Sequence, residues 1–295
     1  MRIQVIVNPR AGRGRGRRAI PVIKEKFKDA GVDFDIHVTR FAGDAVETAR
    51  RAAAGNCDVV VAAGGDGTAN EVVNGIVDTG ARFGVIPCGT GNDFAIGLGI
   101  PRNIARACDL ILNGTSNGEV RRVDIGKVAG RYFIGSVGIG FDATVALEAN
   151  RSIPLLRGPV VYAIALLKVL STYRTRKMRI ALDGNTIHVT PLLVAVTNAP
   201  TYGGGMRISP NAIMDDGLFD ICVIGQMRSM EALYHFPKVF KGSHARLEKV
   251  TMLRGQDVTV DAEEAVPFHM DGEVMTGKHL HLEIFPSALG VICPA

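Results

Sequence analysis

Three glycine-rich turns carry the residues best suited to chemistry. The first reads Asn8-Pro9-Arg10-Ala11-Gly12 and runs on through Arg13-Gly14-Arg15-Gly16-Arg17-Arg18. The second reads Gly64-Gly65-Asp66-Gly67-Thr68, the third Pro87-Cys88-Gly89-Thr90-Gly91-Asn92-Asp93. Glycine lets the backbone approach a phosphate closely and turn its N–H groups toward it. A helix that follows such a turn adds the positive end of its dipole. Thr68 and Thr90 can donate hydroxyl hydrogen bonds. One such turn is as often only a tight strand-to-helix connection. Three of them, two with Gly-Thr and an Asp, point to a phosphate-bearing ligand. Neither common nucleotide pattern fits. Gly12, Gly14 and Gly16 make GxGxG rather than GxGxxG, and Asp33 and Asp35 lie before or inside the second strand rather than at its end. Neither later loop ends in the GKS/T of a Walker P-loop.

Turns that share one ligand need a scaffold that brings them to one edge. Short β-branched runs recur at Ile3–Val7, Phe34–Val38, Asp58–Ala63 and Phe83–Pro87, with helix-like stretches near 17–30, 43–54, 69–79 and 103–113. Apolar runs alternating with helices read as buried parallel strands in βαβ units, and right-handed crossovers make them an open, doubly wound α/β sheet. Ligands bind such sheets beyond the carboxyl ends of the strands, where all three loops fall. After about residue 122 the pattern changes. Strand candidates follow one another near 123–128, 132–138, 178–182, 186–196, 218–224, 257–261 and 279–285, with turns at Asp183-Gly184-Asn185 and Asp216-Gly217. That is a mostly antiparallel β domain, interrupted by one long apolar and basic helix from about Leu155 to Tyr173. The domain boundary is expected at Val123-Asp124.

A length of 295 residues fits about two domains. Hydrophobic residues at 47% and charged residues at 21% exclude a largely disordered chain. Lys plus Arg is 34 against 29 for Asp plus Glu, a net charge of +5 that suits an anionic partner without selecting one. Aromatics at 6% and the absence of Trp leave few stacking platforms and argue against nucleic acid. Cys57, Cys88, Cys108, Cys222 and Cys293 form no CxxC pair and are odd in number, which argues against zinc and a disulfide framework and fits a reducing cytoplasm. The chain opens directly into a strand, without a signal-peptide pattern. The longest apolar run, Val160 to Leu167, is far short of the ~20 residues that span a bilayer. A soluble protein that touches membranes from the side is expected.

Taken together, Asn8-Pro9 with Gly12, the run Gly64-Gly65-Asp66-Gly67-Thr68-Ala69-Asn70-Glu71, and Gly89-Thr90-Gly91-Asn92-Asp93-Phe94 resemble the diacylglycerol kinase catalytic family, in particular the soluble bacterial lipid kinases of the diacylglycerol kinase and YegS type. The resemblance runs nearly the whole length, through Asp124-Ile125-Gly126, Gly138-Ile139-Gly140-Phe141-Asp142, Ala199-Pro200, Tyr202-Gly203-Gly204-Gly205, Asp215-Asp216-Gly217 and Asp271-Gly272-Glu273. It implies an α/β nucleotide-binding domain (1–123), a C-terminal β-sandwich (124–285) and a last segment (286–295) that returns to the first domain, with the active site in the cleft between the two. It implies an ATP site lined by Asn8, Pro9, Arg10, Ala11, Gly12, Thr39, Gly65, Asp66, Gly67, Thr68, Ala69, Asn70, Glu71 and Thr90. Glu273 would be the general base, and Asp66, Asp93, Asp124 and Asp271 the acidic network around a catalytic Mg2+. A second, structural Mg2+ would sit on Asp216 with backbone oxygens near Ile213 and Leu218. The implied reaction is transfer of the γ-phosphate of ATP to a lipid hydroxyl at a membrane surface, with diacylglycerol as acceptor. Related kinases are often dimers.

The residue chemistry agrees with these roles. Phosphoryl transfer needs in-line positioning, charge neutralisation and a group that orients the hydroxyl, and Mg2+ prefers carboxylate and water oxygens. Each residue also has a plainer reading. Glu273 can simply flank a hairpin turn. His269 is a rival base, although its alternation with Phe268 and Met270 reads as a strand-face residue. Asp215-Asp216-Gly217 is equally a turn, Asp124 equally a joint between domains, and Asp66 equally a helix cap. Arg10, Arg13, Arg15, Arg17 and Arg18 read mostly as a solvated loop. The apolar helix reads as core, or as a membrane-facing element whose basic end (Arg174, Arg176, Lys177, Arg179) meets anionic head groups. The same chemistry on phosphatidylglycerol or a sphingoid base, then an NAD kinase, an NAD-dependent oxidoreductase, a nucleic-acid-binding protein and an inactive lipid sensor are the alternatives.

Overall fold

Continuous apolar runs at the start of the chain become strands buried on both faces. In the computed structural model, which describes residues 1–117, 120–152 and 159–294, they alternate with helices: β1 (Arg2–Val7), α1 (Ala11–Asp29), β2 (Asp33–Val38), α2 (Asp44–Ala54), β3 (Val59–Gly64), α3 (Asp66–Ile76), β4 (Arg82–Pro87), α4 (Asp93–Gly97), α5 (Ile104–Asn117) and β5 (Val120–Val128). Four of these strands lie parallel in the order β4-β3-β1-β2, with Val5 opposite both Val61 and Ile36 and Ala62 opposite Val85. Every residue of β3 is buried, whereas β2, at the edge, alternates exposed and half-buried residues. The core joins Ile3, Val5, Val7, Val61 and Ile86 to Ala19, Ile23 and Phe27 of α1 and to Ile111 of α5. Ala19, Ile23 and Phe27 stand four apart, which puts them on one helix face.

The chain divides into two compact units. Unit one holds Met1–Ile125, the short piece Met214–Gly217 and the chain from Phe285 on; unit two holds Gly126–Ile213 and Leu218–Ile284. Asp124 thus belongs with the first unit, whose first stretch ends at Ile125, two residues past the boundary expected at Val123-Asp124. In unit one, Val291 pairs in parallel with Phe83 of β4, and Leu289, Val291 and Ile292 are buried.

Unit two continues with β6 (Arg131–Phe133), β7 (Ser136–Gly140), α6 (Phe141–Ser152), α7 (Pro159–Thr172), β8 (Met178–Leu182), β9 (Asn185–Val189), β10 (Pro191–Thr197), β11 (Phe219–Gly225), α8 (Ser229–Lys241), a 3₁₀ turn (Ser243–Arg246), β12 (Val250–Gly255), β13 (Asp257–Met270) and the part of β14 (Glu273–Ile292) that precedes Phe285. Its strands run antiparallel in the order β12-β11-β10-β7-β13-β14. The register of β13 against β14 shifts between Asp261 and Val266; before the shift β13 pairs with β8, beyond it with β7. Alternation assigns the faces. Val258, Val260, Val266, Phe268 and Met270 enter one core with Val194, Val196, Ile221 and the stacked pair Phe133 and Phe219. Ala195, Cys222 and Ile224 face a second core under α6, α7 and α8.

Several sequence expectations change here. The strand expected over 132–138 is two, β6 and β7, with Ile134 and Gly135 between them donating to Asp271. The strand expected over 186–196 is two strands, because Pro191 has no N–H for a ladder and begins a new one. Helices α6 and α8 replace the single expected helix with three. Of that expected helix, residues 155–158 lie outside the described residues. The described part, α7, buries Ala165 and Val169 and exposes Ile164 and Leu167, so it is core on one face and open on the other. Among the described residues no helix is long and apolar enough to cross a membrane.

Candidate active site

The three glycine loops of the first unit meet backbone to backbone. Asn8 follows β1, donates from its backbone N–H to Ala63 O at 3.0 Å and from Nδ2 to Thr68 Oγ1 at 3.1 Å, and accepts from Arg10 N at Oδ1. The first loop is therefore pinned to the second. Gly12, Arg13 and Gly14 follow with φ of 53°, 58° and 85°, three consecutive left-handed residues that interrupt the start of α1. A Cβ on Gly12 would lie 2.0 Å from the carbonyl oxygen of Cys88, which ties the first loop to the third as well.

The second and third loops touch at Gly65 and Gly89. A Cβ on Gly89 would lie 2.5 Å from Gly65 Cα, so Gly89 has no room for a side chain at this spacing, and a Cβ on Gly65 would sit 3.2 Å from Gly89 Cα. Cys88 N and Gly89 N both donate to Gly64 O, at 2.7 and 3.1 Å. Asn92, with φ 61°, closes the third loop: its Oδ1 accepts from Gly89 N and its Nδ2 donates to Gly89 O. Asp66, the first residue of α3, reaches across. Its carboxylate accepts from Asn92 N at 2.8 Å and Phe94 N at 3.0 Å, and so caps α4 from another helix. Asp66 thus serves as a helix cap, of α4 rather than of its own helix.

The remaining residues expected around the nucleotide surround this junction. Thr39 donates its N–H to Val7 O at the end of β2. Thr68 and Asn70 are buried on α3, Glu71 is half-buried and Thr90 is exposed. Pro9, Ala11, Gly67 and Ala69 lie within the same loops and first helical turns.

The acidic residues divide by what already holds them. Asp93 is buried in the first turn of α4. Asp124 is fully buried; its Oδ2 accepts from Gly217 N and its Oδ1 from Ser287 N, both at 2.7 Å, while its own N–H donates to Met214 O. Its carboxylate joins three separate stretches of the first unit. Asp215 is held by Arg121 through two 2.7 Å bonds, and that guanidinium lowers its pKa. Asp216, exposed, stands in the turn that Gly217 closes at φ 73°; Ile213 is exposed beside it and Leu218 half-buried. In the second unit Asp271, at φ 46°, accepts from Ile134, Gly135 and Ser136 N–H at 2.8 to 3.0 Å. No three of the described His, Cys, Asp and Glu side chains converge to hold a metal.

Glu273 opens β14. It is 56% exposed and forms a bidentate pair with Arg131, at 2.8 and 2.7 Å. That guanidinium holds its carboxyl below the ordinary carboxylate value. Arg131 had no place in the sequence reading, since 142 residues separate the partners and nothing in the local pattern links them. His269 is buried and faces Asp142, at 3.0 Å. The cysteines are buried, and burial pushes the Cys88 thiol up to about 11 and the Cys108 and Cys222 thiols to about 12, which leaves them unreactive. Of the basic residues after α7, Arg176, Lys177 and Arg179 pair with Glu264, Glu263 and Asp261.

Comparison with known proteins covers both units. A family model described as the diacylglycerol kinase catalytic domain matches residues 2–128, and one described as the YegS C-terminal NAD kinase beta sandwich-like domain matches 135–293. A diacylglycerol kinase of Bacillus subtilis is 33% identical over 95% of this chain and 93% of its own. One from Staphylococcus aureus is 34% identical over 92% of this chain and 86% of its own. A crystal structure of a putative diacylglycerol kinase from Bacillus anthracis superposes with a TM-score of 0.80 at 27% identity, over 99% of this chain and 97% of that one.

Proposed function

The chain belongs to the diacylglycerol kinase family, and on that footing we propose that it is a lipid kinase that transfers the γ-phosphate of ATP to a lipid hydroxyl, with diacylglycerol as acceptor and phosphatidic acid as product. The observation that supports this most is the interlock of the glycine loops, where Gly65 meets Gly89 and Asp66 bridges them. It gathers the glycine loops and the start of α3 at the carboxyl ends of parallel strands, the setting in which a polyphosphate is held.

Each residue then has a task. Asn8 to Gly12, Gly65 to Glu71, Thr39 and Thr90 hold the nucleotide. Asp93 and Asp66 are the acidic groups assigned to the phosphates' metal. Mg2+ bound with ATP supplies charge neutralisation for the transferred group. Asp124 and Asp271 keep the supporting backbone in place by accepting its N–H bonds, and Asp216 is assigned to a structural cation. Glu273, ionised at neutral pH, takes the proton of the lipid hydroxyl. The acceptor is met at a membrane surface, and the exposed apolar face of α7 is the part of the second unit we assign to that contact.

The test is transfer of labelled γ-phosphate from Mg-ATP to a panel in mixed micelles: diacylglycerol, phosphatidylglycerol, sphingosine and ceramide, with NAD in a separate tube. Label on diacylglycerol that falls roughly 10²–10⁴-fold in Glu273→Gln, with ATP binding kept, is the expected result. Label on NAD alone would replace the reading with an NAD kinase. Normal turnover in Glu273→Gln would move the base elsewhere.

A further inference from the structure

Helix α8 turns an apolar face to solvent. Met230, Leu233, Tyr234, Pro237 and Phe240 are all exposed, Met230 at 76% and Tyr234 at 74%. Residues 230, 233, 234 and 237 stand at the i, i+3, i+4, i+7 spacing of one helix stripe, and 240 continues it. Ala232 and Val239, on the opposite side, pack into the second core with α6 and α7. A surface helix ordinarily keeps its polar side outward; here the outward side is apolar. Contiguous apolar surface of this kind marks an interaction site. Ser229 Oγ donates to Leu170 O at 2.7 Å, which joins α8 to the end of α7, and α7 exposes Ile164 and Leu167.

The border of this face is cationic. Arg228 precedes the helix, and Lys238 and Lys241 stand in its last turn. The one acid on α8, Glu231, is held by Lys249 at 2.7 and 2.8 Å. Lys238 Nζ lies 5.8 Å over the Tyr234 ring, which places its charge beside the apolar stripe. Cations in a last turn also suit the helix dipole, but the dipole asks for no apolar neighbours. An apolar stripe with a cationic border matches the boundary of an anionic bilayer, where the acyl chains take the apolar side chains and the head groups take the cations. A second copy of the chain fits less well. Two such helices laid antiparallel across a twofold axis would bring Arg228 against Lys238 and Lys241, a like-charge contact.

Resting on the reading that the acceptor is met at a membrane surface, we propose that α8 is the element that enters the bilayer. It lies in the plane of an anionic leaflet, with Met230, Leu233, Tyr234, Pro237 and Phe240 sunk to the start of the acyl chains and Arg228, Lys238 and Lys241 among the head groups. It extends the contact assigned to α7, to which Ser229 ties it. The stripe supplies depth and the cations supply the choice of an anionic surface.

The chain has no tryptophan, so Tyr234→Trp in the full-length protein gives a single reporter on this face. With vesicles of phosphatidylcholine mixed with phosphatidylglycerol, its emission is expected to move to shorter wavelength and to be quenched by brominated acyl chains. Vesicles of phosphatidylcholine alone are expected to do little. In co-sedimentation with the mixed vesicles, the combined variant Met230→Ser, Tyr234→Ser and Phe240→Ser is expected to bind at least about tenfold more weakly. Lys238→Gln with Lys241→Gln is expected to lose roughly tenfold on the same vesicles. Turnover of dihexanoylglycerol in free solution is expected to be unchanged in the serine variant, which separates lost docking from lost fold. An unquenched tryptophan on protein that sediments with the vesicles would overturn the proposal, as would undiminished binding of the serine variant. Equal quenching on phosphatidylcholine alone would overturn the assignment to an anionic leaflet. A tryptophan shielded without lipid, in a dimer that the serine substitutions dissolve, would give the face to a second copy instead. If bromine quenches while no lipid is phosphorylated, the kinase reading fails and the docking face stands.

Discussion

Glu273 and Arg131 face each other through two bonds of 2.8 and 2.7 Å, and this pairing governs how Glu273 can act. Both partners are substantially exposed, so the pair adds only about 0–1 kcal/mol to stability. Its effect on proton affinity matters more. Arg131 lowers the carboxyl's pKa, so Glu273 is fully ionised at neutral pH and loses its charge only as pH falls through that lowered value. Under the proposed reaction, the acid limb of the pH–rate profile lies below the ordinary carboxylate range, and Arg131→Met moves it to higher pH. A profile of kcat/KM between pH 4 and 8 reads this directly. An unmoved limb in the variant would mean that another group is the base.

The glycine loops act as one element although they come from three places in the chain. Asp66 bonds Asn92 and Phe94, Asn8 bonds Thr68, and Gly65 lies against Gly89. Such a junction transmits a small change at one loop to the other two. Gly89→Ala places a methyl 2.5 Å from Gly65 Cα and 2.8 Å from Asn92 Oδ1, so the second and third loops must part. Overpacking of this kind costs roughly 1–3 kcal/mol. The expected outcome is a lower melting temperature and weaker ATP binding together, followed by thermal melting and calorimetric titration. Gly80→Ala is the control, because a Cβ there meets nothing within 4 Å and the residue lies outside the glycine loops. Equal ATP affinity in folded Gly89→Ala and wild type would separate the junction from the nucleotide.

At the level of the whole molecule, the first unit is assembled from three stretches of chain, and Asp124 is where they are tied. Its carboxylate holds Gly217 N and Ser287 N, and its N–H holds Met214 O, inside a site with no exposure. Asp124→Ala leaves two backbone donors without their acceptor, at roughly 1–3 kcal/mol for each buried group. The variant is expected to unfold at clearly lower urea concentration than wild type. An unchanged midpoint would mean that water or a neighbouring group replaces the carboxylate without loss.

Local pattern made much of this protein legible in its residues. The βαβ alternation, the ends of the first four strands, the three glycine loops and the antiparallel second half all follow from apolar period and glycine placement, which neighbours in sequence decide. The family was legible too, since GGDGT, GTGNDF and the late Asp-Gly-Glu are contiguous motifs. What contiguous motifs do not carry is pairing at a distance. That Asp66 caps α4, that Arg131 engages Glu273, that Asp124 clasps residues 217 and 287, and that Asp142 collects Tyr202 and His269 are all contacts between residues 26 to 163 positions apart. Helix α8 also went unread, because Pro237 within it and the exposed Met230, Tyr234 and Phe240 blur its pattern. A carboxylate looks the same in sequence whether it binds a metal, caps a helix or joins segments. Only the fold decides which donors reach it, because that depends on where the backbone N–H groups of other elements come to lie.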